Sequence, residues 1–135
     1  MLESGLYSFI TANAGFTALA TNRLYPLILP DSLIASTSLP PSATYQTISS
    51  VTDYTNDGST GCIKTRVQFD CFASDYADVK NLANAIRLTL EGYAGTLPNG
   101  IPVKACWVVN VTDSYSQDTR LYRTSTDYRI VYAQQ

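Results

Sequence analysis

Residues Arg66 to Ile86 read RVQFDCFASDYADVKNLANAI, and the reading of this stretch decides the fold. Up to Ala73, apolar and polar residues alternate. Ile63, Thr65, Val67, Phe69, Cys71 and Ala73 fall on one side, and Lys64, Arg66, Gln68 and Asp70 on the other. This is the period-two pattern of a strand with one buried face. From about Asp75 to Glu91 the period changes to that of a helix, with Val79, Leu82, Ala83, Ile86 and Leu90 in one apolar stripe. Tyr76 and Tyr93 mark the ends of that stripe. Ser74 or Asp75 is suited to the N-cap, Asp78 complements the helix dipole, and Gly92 is a natural stop.

A strand end feeding a helix start often houses a nucleophile or a phosphate site, so chemistry has to be weighed here first. The chain has no histidine, which removes the usual base of Ser or Cys catalysis and the commonest zinc ligand. No glycine lines the join, and neither a G-x-G-x-x-G, a P-loop nor a G-x-S-x-G is present. Asp70, Asp75 and Asp78 have structural roles on a strand face and in a cap, and do not converge as a metal site would require. No carboxylate spacing favours acid–base work. The join reads as structural, with no catalytic residue, metal or cofactor expected.

Outward from it, the remaining elements follow the same logic. Residues Leu2 to Leu19 have an amphipathic helical period, which Gly15 can split. "RLYPLI" is a short extended piece, because Pro26 and Pro30 forbid a long helix. Residues 31–42 read as the flexible connector. "ATYQTISSV" is a strand with Tyr45, Thr47 and Ser49 on one face and Gln46 and Ile48 on the other. Residues 52–61 form a turn cluster in which Asn56-Asp57-Gly58 signals a hairpin. In "VKACWVVNV", Val103, Ala105, Trp107, Val109 and Val111 are expected to share a face. In "RLYRTSTDYRIVY", Tyr122, Thr124, Thr126, Tyr128, Ile130 and Tyr132 share a face, opposite Arg123, Asp127 and Arg129. The expected fold is one α+β domain over residues 1–135. It is a largely antiparallel four-stranded sheet covered on one face by two helices, in the order α-β-β-β-α-β-β with a short first strand.

Composition narrows function. The chain of 135 residues is long enough for one real core. Its charged fraction of 15% is low, and its ten tyrosines outnumber the nine Lys plus Arg, which suits a chain that buries surface against partners. Net charge is −2 with no basic cluster, which argues against nucleic acid as the main, sequence-specific ligand. No apolar run reaches the roughly 20 residues of a membrane span, and the start lacks the basic region of a secretion signal. Cys62, Cys71 and Cys106 are odd in number and lack metal-ligand spacing, so they read as free thiols in a reducing cytosol, with Cys62 the more exposed.

Candidate contacts come from residues hard to explain by the core alone. Tyr54 with Asn56 and Asp57, and Tyr115 with Gln117 and Asp118, sit in polar hairpin tips at 52–60 and 113–119. Each Tyr either meets a partner or folds back on its own sheet. Arg66, Arg123 and Arg129 either pair across strands with Asp70 or Asp127, or serve an intersubunit contact. Arg23 and Tyr25 of "RLYP" either face a partner or brace the fold.

Four pieces together carry a family resemblance: "LYSFITANAGFTALAT" with "NRLYPLILP", then "LPPSATYQTIS", then "TRVQFDCFASDYADVKNLANAIRLTLEG", and last "DTRLYRTSTDYRIVY". In this order and spacing the chain resembles the tail-completion, or tail-terminator, proteins of long-tailed bacteriophages. The segment "DSLIAS" is longer than that pattern. The resemblance implies a non-enzymatic α+β subunit of a ring, commonly hexameric. Such a ring caps the tail-tube protein, ends tail polymerisation and meets the head–tail connector, within a virion assembled in the host bacterial cytoplasm. A head-completion or stopper ring protein is the nearest alternative, and a small enzyme using Asp or Tyr groups the more distant one.

Overall fold

The alternation that begins near Cys62 is realised as the long strand on which the sheet is built. We describe the chain from a computed structural model covering residues 2–29, 40–55, 58–117 and 120–133, with only the backbone of 53–55 and 58–60. The elements run α1 (Leu2–Thr11), α2 (Ala14–Ala20), β1 (Leu24–Pro26), β2 (Ser42–Thr55), β3 (Gly58–Ala73), α3 (Tyr76–Leu90), β4 (Gly95–Thr96), β5 (Pro102–Ser116) and β6 (Leu121–Ala133). They form one sheet in the order β1-β2-β3-β6-β5-β4.

The α+β class holds, and the sheet and helix numbers change. The four long antiparallel strands are present as β2-β3-β6-β5, but short strands extend the sheet at both ends to six. β1 joins β2 in parallel, so the sheet is mixed, and β4 pairs only with Pro102 and Val103. Three described helices replace two. The N-terminal helix breaks at Ala12–Asn13, where the Asn13 side chain accepts from the Phe16 amide and caps α2 at 3.2 Å. Ahead of α3, Asp75 is the N-cap, and Gly92, at a φ of 77°, ends that helix and sends its amide to the Cys106 carbonyl.

All four long strands reach further than the alternation suggests, and of the turn cluster expected at 52–61, residues 52–55 and 58–61 are strand. Register shifts between Thr47 and Ser49, Val103 and Ala105, and Val108 and Asn110 explain the largest departure. Each bulge moves the following residues to the opposite face. Val103, ahead of both bulges, faces the core, and Cys106 and Val108 are turned toward it, while Trp107 and Val109 remain 45% and 41% exposed. Ser49 likewise pairs with Arg66, away from Tyr45 and Thr47.

The core lies between the helices and one sheet face. Leu6 and Ile10 of α1, Phe16 of α2, and Leu82, Ile86 and Leu90 of α3 pack on Val67, Phe69, Cys71, Tyr128 and Ile130. Phe69 meets the Tyr128 ring edge-on at 5.6 Å. The other sheet face mixes polar side chains such as Arg66, Asp70, Asp127 and Arg129 with Phe72 and Trp107. Of the connector expected at 31–42, residues 31–39 lie outside the described residues, and Ser42 already begins β2.

Candidate functional site

Antiparallel pairing sends the two hairpin tips in opposite directions. The β2–β3 tip lies past Cys62, which pairs with Ala133 at the end of β6, whereas the β5–β6 tip lies beside Ala73 at the other end of β3. The 16 residues of β3 span roughly 50 Å at about 3.3 Å each. The backbone of the candidate contact Tyr54 thus stands at one end of the molecule, and Tyr115 and Gln117 at the other. Asn56, Asp57 and Asp118 lie outside the described residues, as does the Tyr54 side chain.

The β5–β6 end is tied down. Asp113 accepts from the Thr124 hydroxyl at 2.8 Å, the Tyr76 hydroxyl at 3.0 Å and the Lys80 ammonium at 3.2 Å. The Thr124 bond, followed by those of Tyr76 and Lys80, holds the Asp113 carboxyl below its ordinary range, against partial desolvation. The Tyr122 ring sits between Tyr76 at 5.5 Å and Tyr115 at 4.7 Å. Tyr115 consequently packs on its own domain and still exposes 49% of its surface. Gln117 follows in an exposed turn.

Arg23 is engaged internally. Its guanidinium donates to the Pro41 carbonyl at 2.9 Å and to the Leu19 carbonyl at 3.3 Å, tying the end of α2 to the start of β2. Tyr25 is half-buried in β1. Just beyond, Leu27 and Ile28 are 66% and 74% exposed, with Leu27 held at a φ of 67°.

On the polar sheet face, cross-strand pairing takes two of the three arginines. Arg66 Nε donates to Asp127 at 3.1 Å, and Arg123 lies 3.8 Å from Asp70 while its Nε donates to Ser125. Arg129 stands in register with Arg66 and Trp107. Asp70 and Asp127 are both buried, and each keeps one carboxylate oxygen without a hydrogen-bond partner. A cleft of about 490 Å³ opens beside Leu27, Leu29, Asp70, Phe72, Leu121 and Arg123. Its acid and base already face each other, and among the described residues no second carboxylate lines it.

The other reactive groups are quenched by burial. Desolvation pushes the Cys71 thiol far up and the Cys106 thiol to about 12, so neither is a nucleophile near neutrality. Cys62, expected at a turn, is half-buried within β3, and none of the three cysteines forms a disulfide. Among the described residues no His, Cys, Asp or Glu cluster could hold a metal, and no helix is long and apolar enough to cross a membrane.

What sequence reasoning missed is the outer edges of the sheet. β1 covers β2 only through Tyr45, whose carbonyl accepts from Leu27 at 3.0 Å. On the other side, β4 and the Gly92 amide cover β5 only as far as Cys106. Beyond these points no described residue pairs with the outer edge of β2 over Gln46–Thr55, or with that of β5 over Trp107–Tyr115. These stretches expose Ile48, Val51, Trp107, Val109 and Val111, each by 41% or more.

Comparisons with known proteins place this fold among virion proteins. A chain from the structure described as "Virion of native gene transfer agent (GTA) particle" has the same fold, with a TM-score of 0.78 at 15% identity over 98% of this chain and 94% of that one. No curated protein matches. The family described as "Tail completion protein gp17" matches residues 4–133, spanning every element from α1 to β6. The chain belongs to the tail completion protein gp17 family.

Proposed function

We propose that this chain is a structural subunit of a phage-type virion tail, and that copies of it close into a ring, hexameric in the form the family resemblance implies. The ring caps the last layer of tail-tube protein, stops tail polymerisation and offers its opposite face to the head–tail connector. DNA crosses its lumen without sequence readout. The protein is assembled in the host bacterial cytoplasm and resides at the neck of the virion, without cofactor or catalysis.

The observation that carries this reading is the family match along the whole chain. The opposed hairpin tips support it, because a subunit joining tube to connector needs contact surfaces at both ends of its axis. A virion chain of the same fold adds to that support. Arg66 and Arg123 are internally paired and act as ring contacts only through their exposed sides, and Arg23 braces the fold.

The test is particle assembly without the protein, viewed by electron microscopy. Overlong tails without heads attached are the expected result. Leaking, tailless heads beside normal-length tails would reassign the chain to the stopper position. Native mass spectrometry of the purified protein with tail tubes should show a closed oligomer on tube ends, and persistent monomers that never cap a tube would overturn the ring.

A further inference from the structure

The two uncovered strand edges have a geometric relation that their separate positions conceal. β2, β3, β6 and β5 alternate in direction, so β2 and β5 run oppositely at the two sides of the four-stranded unit. A second copy placed alongside by rotation about an axis near the strand direction brings its β2 antiparallel to the first copy's β5. An odd number of strands would have given a parallel seam. We infer that β5 residues Trp107–Tyr115 of one copy pair edge to edge with β2 residues Gln46–Thr55 of the next, making one sheet across the subunit boundary. This rests on the ring reading and specifies the seam that closes it.

Three features favour a second copy of this chain as the occupant. Among the described residues nothing pairs with the outer row of backbone donors and acceptors of either span, and two such rows are complementary by construction. Neither contains the Pro or Lys that proteins commonly place on edges to prevent pairing. Both expose apolar side chains: Val109 and Val111 on β5, Ile48 and Val51 on β2.

The stagger between the spans supplies an independent check. Val111, midway along the β5 span, stands level with Thr126 and Phe69. Ser50, midway along the β2 span, stands level with Thr65 and Ile130. Full overlap therefore shifts each copy by about four residues, or roughly 13 Å, along the strands. Four strands occupy about 19 Å across the sheet. That shift corresponds to a strand tilt of roughly 35°, at the edge of the range that closed sheets adopt. Bulges in both spans, after Val108 and around Ile48 and Asp53, provide local bending. The shape of each edge thus suits a closed, heterologous arrangement rather than a flat open stack.

Disulfide trapping tests the seam in the full chain. Val111, Thr47, Ser50 and Thr52 all lie on the helix-covered side, paired with Thr126, Val67, Thr65 and Ile63. Val111→Cys is combined in turn with Thr47→Cys, Ser50→Cys and Thr52→Cys, which spans the register. In at least one combination, oxidation should give a covalent ladder that ends at the native oligomer. The single variant V111C should not exceed its background. Rings that persist in native mass spectra while none of the three combinations cross-links would overturn the seam and leave the ring intact. Disulfide dimers from V111C alone would overturn it in favour of a β5–β5 pair. A wild-type protein that forms no ring on tubes would instead defeat the underlying reading. As a second measure, Val109→Lys with Val111→Lys should convert rings to monomers while the far-ultraviolet spectrum and melting temperature stay near wild type.

Discussion

The two long hairpins use the same strand alternation and end in opposite ways. At the β5–β6 end, Asp113 gathers Thr124, Tyr76 and Lys80, and three tyrosine rings stack from α3 to the strand tip. At the β2–β3 end, β3 continues past the last residue of β6 that pairs with it, and Ile48, Ser49, Ser50 and Val51 lie exposed. One hairpin is tied to the helix layer close to its tip, whereas in the other the last described link to α1 is the Thr47–Glu3 bond and backbone pairing between the two strands continues beyond it. Isolated two-stranded hairpins are marginal in water. A tail subunit gains from such a difference: a fixed end presents a set surface, and an unsupported arm has most to gain by pairing with a neighbour.

Where the hairpins share a core, the difference should vanish. Phe69 is 1% exposed and packs between Tyr45 and Tyr128. Phe69→Ala should cost about 3–5 kcal/mol through lost burial and a cavity. Denaturant unfolding followed by hydrogen exchange should show both hairpins losing protection together. Protection retained at one of them would mean that the sheet is not one cooperative unit.

Removing the clasp should then separate them. Asp113→Ala leaves the Thr124 hydroxyl without its carboxylate, at a cost of about 1–2 kcal/mol. The exposed Lys80 pair adds little to that. Amide exchange should quicken over 113–117 and 120–124 and stay unchanged over 46–52. Equal acceleration at both ends would break the contrast between the hairpins.

The same contrast marks where the sequence is readable. Ile63–Ala73 holds one period without interruption, so its faces follow from alternation and its Asp75 cap from residue chemistry. β5 starts equally regularly, but bulges at Lys104 and Val109 reverse its faces, and no glycine or proline announces them. Trp107 turns outward for that reason. β1 and β4 are too short to carry a period, and the parallel seam between β1 and β2 is a non-local pairing. At the candidate surfaces, the tips were legible because Tyr sits among polar turn residues. The Asp113 clasp was not, since Tyr76 and Lys80 come from 37 and 33 residues away. The uncovered edges were illegible too, because an edge is defined by which strands fail to extend beside it.

A substitution on the arm should leave the fold almost untouched. Val51 is 59% exposed, so Val51→Ser removes little burial and should change stability by less than about 0.5 kcal/mol. Its effect should appear in assembly instead, as fewer rings at a fixed concentration by native mass spectrometry. A large loss of stability would show that the arm packs on the domain more closely than its exposure indicates.

Acid should produce the smallest effect, and its sign follows from Asp113. Its folded pKa lies below the ordinary 3.8, so the unfolded chain takes up that proton first as pH falls. The carboxylate's contribution is therefore complete above the ordinary value. It declines as pH drops through the lowered one, when Thr124, Tyr76 and Lys80 lose a charged acceptor. Exposure to solvent screens the interaction, so global stability should move only slightly. The local signal is cleaner: between pH 5 and the acid limit of folding, exchange at 120–124, corrected for its intrinsic pH dependence, should quicken more than exchange at 46–52. In Asp113→Asn, which keeps an oxygen for Thr124 but cannot titrate, that excess should disappear. An excess of the same size in the Asn variant would show that Asp113 is not its source.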